Sequence, residues 1–323
     1  MFEIDEEFLE EHDPRFRPVA TRLAVGVARF MLWVGRRTRR RVEGRGLPDQ
    51  PVIFATNHTH VLDFIPFWIE LLGAGERLIG WVKARMYHDF RRRMLMRWLG
   101  NNLPLVSRGY LIASDFRRLL GRPPTDEEYR HLRDHVDEDE PVPDHSPFDR
   151  VCWMSREMLG RRYDPSEDEY GRAMRQRFYR MMQTTLEITG RCIDDGYHLH
   201  IYPEGEVSRH LTEGHTGIIQ AAIALDLPVV PVGISGADQA FVGNGPLTRG
   251  GEVRLRFGEP MYVDPDTVGD DFRPFHPRDQ LDNEENLQRE VDRVMQRLDG
   301  LVDEGYGLAA SGDGRKEGVA RFY

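Results

Sequence analysis

The stretch Pro51–Phe67, PVIFATNHTHVLDFIPF, constrains the fold more than any other. Its apolar run Pro51–Ala55 is long enough to cross one sheet and no longer, and the run Val61–Leu72 has the length of a helix. The pair reads as a buried strand feeding a helix. Thr56-Asn57 breaks the pattern between them, and Asn57, His58 and Asp63 stand where the strand ends and the helix begins. A His at a strand tip and an Asp on the first turn of the next helix can meet. The carboxylate then takes the proton of one imidazole nitrogen, which fixes the tautomer and leaves the other nitrogen as a base. Such a base can deprotonate a hydroxyl for attack on a carbonyl. The same residues also fit a surface His beside a helix-capping Asp, and the spacing alone leaves both readings open.

The rest of the chain repeats the strand-then-helix pattern. Strands are expected at Leu78–Val82, Leu103–Val106, His198–Tyr202, Val229–Ile234 and Glu252–Phe257. Helices are expected at Met86–Leu99, Met174–Asp195, His215–Leu225 and Asn283–Leu301, with a loose tail from Gly305 to Tyr323. Arg41–Gln50 reads as a short strand and turn. The alternation predicts an α/β fold with a largely parallel central sheet flanked by helices. Length (323 residues) allows one large α/β domain or two smaller ones, and 40% hydrophobic content supports a real core.

Cys152 and Cys192 lie far apart and outside any C-x-x-C pair, which argues against zinc and a disulfide framework and for a reducing compartment. The acidic start, MFEIDEEFLEEHD, lacks the basic character of an export signal. The longest apolar stretch, Leu23–Val34, is interrupted by Arg29 and too short to span a bilayer, so the chain is expected to be soluble or peripheral. A net charge of −10 disfavours nucleic acid as a partner, but the charge is uneven. Arg36, Arg37, Arg39, Arg40 and Arg41 follow the apolar stretch directly, and Arg91, Arg92 and Arg93 sit among Met86, Phe90, Met94, Leu95 and Trp98.

Pro14–Val34 reads as an amphipathic helix, with Phe16, Leu23, Val27, Phe30, Met31 and Val34 at helical spacing. It can lie in a membrane interface, its arginines meeting anionic head groups at about 1 kcal/mol each near the surface. It can equally pack on its own domain.

Tyr110–Arg180 differs in kind: it is rich in Asp, Glu, Arg and Pro, with short helices expected at Thr125–Val136 and Glu167–Met182. His131 and His135 have metal-like i, i+4 spacing, but nothing completes a site, so they read as a solvated helix face. The segment reads as an insertion, a lid or a partner surface. His198 and His200 share one strand face and read as packing residues.

Four segments in order resemble the phospholipid/glycerol acyltransferase family, the group of glycerol-3-phosphate and lysophosphatidic acid acyltransferases. Its N-H-x4-D block is complete as Asn57, His58 and Asp63. An apolar strand ending in Arg matches Leu103–Arg108. F-P-E-G-T-R-S appears as Tyr202-Pro203-Glu204-Gly205-Glu206-Val207-Ser208, and a V-P-V strand as Val229–Gly233. The resemblance covers roughly 42–260. It implies an acyltransferase-like domain at 42–265 holding the acidic 110–180 insertion, preceded by a leader and membrane-associating helix (1–41) and followed by a helix and tail (266–323).

By that resemblance His58 is the general base and Asp63 its orienting partner. Arg108 would bind the acceptor's phosphate, Glu204-Gly205 would shape its glycerol pocket, and Asn57 and Ser208 would join them in binding substrate. The donor would be a fatty-acyl thioester of coenzyme A or acyl carrier protein, and the acceptor a lysophospholipid or glycerol phosphate. No metal or other cofactor is implied. The place of work would be the cytoplasmic, inner face of an anionic membrane. One block departs: Glu206-Val207 stands where the family has Thr-Arg, removing a cation and adding an acid, and Arg209 is the candidate replacement. Two readings compete with acyl transfer: a metal-dependent hydrolase using His58, His60, Asp63 and Glu204, and a non-catalytic membrane interaction module.

Overall fold

The computed structural model describes residues 2–34, 38–44, 49–243, 245, 247–308 and 318–322. Among the described residues nine strands run β1 (Arg39–Glu43), β2 (Ile53–Thr56), β3 (Arg77–Lys83), β4 (Asn102–Leu105), β5 (Arg156–Met158), β6 (Arg161–Tyr163), β7 (Tyr197–Ile201), β8 (Val229–Ser235) and β9 (Glu252–Phe257). The first helices are α1 (Glu6–Glu10), α2 (Pro18–Val34), α3 (Phe64–Ala74) and α4 (Phe90–Leu99). Then come α5 (Arg108–Leu120), α6 (Asp126–Glu138), α7 (Phe148–Trp153) and α8 (Tyr170–Asp194). The last are α9 (Gly217–Leu225), α10 (Ala237–Ala240), α11 (Pro277–Asp282) and α12 (Glu284–Asp299).

Seven strands form one sheet in the order β1-β9-β8-β2-β7-β3-β4. From β8 to β4 every neighbouring pair is parallel; β9 runs antiparallel to β8, and β1 is parallel to β9. The C-terminal ends of β8, β2, β7, β3 and β4 therefore share one edge, where ligands of open α/β sheets bind. The strands β2 and β8 are buried throughout, as expected of strands covered on both faces. Period-two alternation sorts their side chains. Ile53 and Ala55 join the core shared with α5, α6, α8, α9 and α12, whereas Val52 and Phe54 join the one under α2 and α3.

The acidic 110–180 segment sends apolar side chains into the main core. Tyr129, Leu132 and Val136, at i, i+3 and i+7 on α6, are buried in the main core with Phe148, Val151, Met158, Tyr163 and Met174. A capping box between Thr125 and Glu128 starts α6 by satisfying backbone donors of its first turn. The leader is tied to the same layer: Glu3 pairs with Arg117 at 2.9 Å and Arg118 at 3.0 Å, and Glu6 meets Arg161 and Arg177. His135 is bonded to Glu169 and to the Glu140 carbonyl, and His131 lies edge-on to Phe148, so neither faces a common ligand position. The end of the chain is not uniformly loose, since Val319 and Phe322 are buried against the core, while 309–317 and 323 lie outside the described residues.

The helix expected over Pro14–Val34 begins at Pro18, and it buries Ala20, Val25 and Leu32 while leaving Val19, Leu23, Val27, Phe30 and Trp33 exposed. Arg36 and Arg37 lie outside the described residues. The other arginines of that run are not a flank of α2: they form strand β1, with Arg40 3.5 Å from Glu70 and Arg41 2.7 Å from Glu43.

Candidate active site

The chain leaves β2 at Thr56 and must turn before α3 begins. Asn57 holds that turn, its side-chain NH2 donating to the Ile234 carbonyl at 2.9 Å and its carbonyl accepting from the Ile234 N–H at 2.6 Å. Both bonds are buried, and losing one leaves a partner unsatisfied at about 1–3 kcal/mol. Asn57 thus pins β2 to β8 rather than facing a substrate.

His58 follows, with its side chain 16% exposed and that of Asp63 fully buried. Its Nδ1 lies 3.0 and 3.1 Å from the two Asp63 oxygens. A carboxylate only accepts, so Nδ1 carries the proton and Nε2 keeps its lone pair. Among the described residues no group hydrogen-bonds that Nε2. Asp63 occupies the N-cap position of α3, yet its side chain makes no capping bond. Instead it gathers Nδ1–H of His58, the Tyr202 hydroxyl at 2.8 Å and the His60 N–H at 3.1 Å. That separates the two readings the spacing left open. The carboxylate is turned to the imidazole.

Tyr202 was not singled out by the sequence reading. Its ring stacks on His58 with centroids 3.9 Å apart, while its hydroxyl holds Asp63. Burial, then the Asp63 charge, pushes that phenol well above its ordinary range, so it stays a neutral donor. One residue before the β7 end, His200 accepts from Trp68 Nε1 at 3.0 Å on Nδ1 and meets Thr56 Oγ1 at 2.8 Å through Nε2. Burial, with His58 nearby, pushes His200 down to about 3. It is a neutral spacer, and His198, which accepts from the Val52 N–H and meets Glu76, is likewise engaged in packing.

The block after β7 closes over the base. Glu204 is buried, and its carboxylate accepts from the backbone N–H of His58 at 3.0 Å and of Thr212 at 2.9 Å. Burial pushes it up to about 7. Gly205 sits at φ +67°, a left-handed turn that suits glycine, and a Cβ there would meet His215. Ser208 N–H donates to the His58 carbonyl at 2.8 Å. Glu204 and Ser208 therefore clasp the backbone of His58 from both sides.

The expected phosphate ligand already has a carboxylate partner. Ser107 caps α5, so Arg108 is the first residue of a helix and not the last of a strand. Its guanidinium lies 3.2 Å from Asp137 and stands over the Phe178 ring. Arg209 is exposed, 4.0 Å from Asp238. A cation that the sequence reading missed, Lys83 at the end of β3, donates to Glu206 at 3.3 Å. Its signal would have been its place at the C-terminal end of an expected strand.

The metal-hydrolase set is not assembled. His60 accepts from the Leu62 N–H through Nδ1 and meets the Gly243 carbonyl through Nε2, which leaves no lone pair for a cation. Among the described residues no three His, Cys, Asp or Glu side chains form a metal-holding group.

The model of the acyltransferase family matches residues 151–235, well under half the chain. The match takes in α8, the Tyr202–Ser208 block and β8, but not His58 or Arg108. No curated protein sequence matches significantly. Among solved structures, the 1-acyl-sn-glycerophosphate (LPA) acyltransferase PlsC from Thermotoga maritima aligns at 14% identity and a TM-score of 0.41, over 90% of this chain and 78% of that one. At that likeness the fold and the site rest on the geometry above. The family match makes residues 151–235 similar to an acyltransferase domain.

Proposed function

We propose that the chain is an O-acyltransferase that moves a fatty-acyl group from a thioester, of coenzyme A or acyl carrier protein, to a hydroxyl of a glycerolipid or lysophospholipid. The observation that carries this is the His58–Asp63 pair, with Nδ1 held by a buried carboxylate and Nε2 open at the C-terminal edge of the sheet. In the reaction Nε2 takes the acceptor hydroxyl's proton as its oxygen attacks the thioester carbonyl. A C–O bond forms, the C–S bond breaks from the tetrahedral intermediate, and the proton passes to the leaving sulfur. Asp63 keeps the imidazolium in place, and Tyr202 keeps Asp63 in place. The test is incubation with a labelled acyl thioester and a panel of acylglycerols, lysophospholipids and glycerol 3-phosphate, read by mass spectrometry. Failure to acylate any member sinks the reading.

The reaction would take place on an anionic membrane surface, at its cytoplasmic face. Supporting this, α2 and α4 touch and both expose apolar side chains, including Phe30 (61%), Trp33 (64%) and Phe90 (64%), with Arg91 and Arg92 exposed beside Phe90. Arg93 does not contribute, since it turns inward to the Tyr87 carbonyl and the Phe2 ring. No helix among the described residues is long and apolar enough to cross a membrane. The combined variant Phe30→Ser, Trp33→Ser, Phe90→Ser is expected to leave anionic vesicles in a sedimentation assay. Unchanged sedimentation would make α2 and α4 ordinary domain surface.

A further inference from the structure

Glu206 sits between two residues that hold His58. Glu204 accepts from the His58 N–H and Ser208 donates to the His58 carbonyl, so the loop between them is fixed at the rim of the site. From that loop the Glu206 carboxylate accepts from Lys83 Nζ at 3.3 Å. The parallel register that pairs Gly80 with His200 puts Lys83 level with Pro203, two strands from β2. At ordinary strand spacing that is roughly 10 Å across from the turn carrying His58. The two other cations assigned to an acceptor's phosphate each face their own carboxylate, Arg108 with Asp137 and Arg209 with Asp238.

We propose that Glu206 is a built-in counter-ion that takes the place of an acceptor's phosphate on Lys83, and that the acceptor is a glycerolipid alcohol without a phosphomonoester. The inference rests on the acyl-transfer reading above and narrows its substrate class. A phosphomonoester approaching this rim meets a like charge, and it reaches Lys83 only by displacing an ion pair already made. An uncharged hydroxyl head pays neither cost. Val207, next in the loop and 39% exposed, offers such a head an apolar neighbour.

The experiment compares monoacylglycerol with lysophosphatidic acid as acceptors for one labelled thioester, using the full chain. Calorimetry with glycerol 3-phosphate runs in parallel. The wild type is expected to favour monoacylglycerol in kcat/KM by on the order of tenfold, one charge-assisted hydrogen bond's worth. Glu206→Gln keeps the shape, removes the charge and should move that ratio about tenfold toward lysophosphatidic acid. It should also tighten glycerol 3-phosphate binding, and Lys83→Met added to Glu206→Gln should abolish the gain. A wild type that prefers lysophosphatidic acid overturns the proposal without any variant, as does a folded Glu206→Gln with unchanged ratio and binding. A chain that acylates no acceptor refutes the acyl-transfer reading instead. Calorimetry then still decides the role of Glu206, because tighter glycerol 3-phosphate binding by Glu206→Gln supports it and unchanged binding overturns it.

Discussion

His58 and Arg108 follow two strands of the same sheet edge, and the motif pattern treats them alike. Their surroundings do not. His58 is gripped at one nitrogen by a buried carboxylate that two further donors hold, and its other nitrogen is open. Arg108 is drawn into the helical layer by Asp137 on α6 and Phe178 on α8. A charged or basic group is poised for chemistry when its neighbours fix it and leave its working atom exposed. Where its neighbours already answer its charge, such a group is committed to the fold's own surface.

The sharpest break between the two should come from removing the base. Loss of a general base typically slows turnover by about 10²–10⁴-fold. His58→Ala should fall in that range while the protein stays folded, and Asp63→Asn should approach it by releasing the imidazole. Near-normal kcat in a folded His58→Ala protein would remove His58 from the mechanism.

How far the sequence reached follows from how local each signal was. His58 and Asp63 lie five residues apart across one strand-to-helix turn, so their meeting could be read directly. Asn57 was picked out for the right position and the wrong duty, because its partner, the Ile234 backbone, is 177 residues away. Tyr202 and Lys83 were missed for the same reason, since β7 lies between β2 and β3 only in the folded sheet. The parallel strands were legible from their apolar runs, whereas the reversed direction of β9 was not, since alternation carries no direction. In α6 the charges of DEEYRHLRDHVDE hid three apolar residues that the helical period brings to one face.

A second imidazole on the neighbouring strand sharpens the contrast. His200 is buried and neutral, pushed down to about 3 from an ordinary value near 6.5. A depressed pKa means that the unfolded chain takes up this proton more readily than the folded one. Stability from this group is therefore full above about 6.5 and falls as pH drops toward 3. At pH 5 the loss is about 2 kcal/mol. Glu204 works in the opposite direction: its pKa is raised to about 7, so its contribution falls as pH rises from about 4.5 through 7. His200→Gln isolates the first effect. Urea unfolding at pH 7 and pH 5 should show the variant losing about 2 kcal/mol less than wild type between the two. An equal loss in both proteins would mean that His200 is not held neutral by burial.

The smallest effect should come from Arg108. Its ion pair with Asp137 is partly exposed, and such pairs contribute about 0–1 kcal/mol. Arg108→Gln and Asp137→Asn should therefore each lower stability by no more than that, and the double variant should cost about the same as either single one, since each breaks the same contact. Activity discriminates more finely. If Arg108 belongs to the helical layer, kcat/KM falls by less than about threefold, equally for monoacylglycerol and lysophosphatidic acid, because under about 0.7 kcal/mol separates the variants. If it reaches an acceptor's phosphate after all, the loss falls on lysophosphatidic acid alone and exceeds about tenfold, the worth of one charge-assisted bond. That selective loss would put Arg108 beside His58 as a working residue of the edge, and it would mean that Asp137 gives up its partner when substrate arrives.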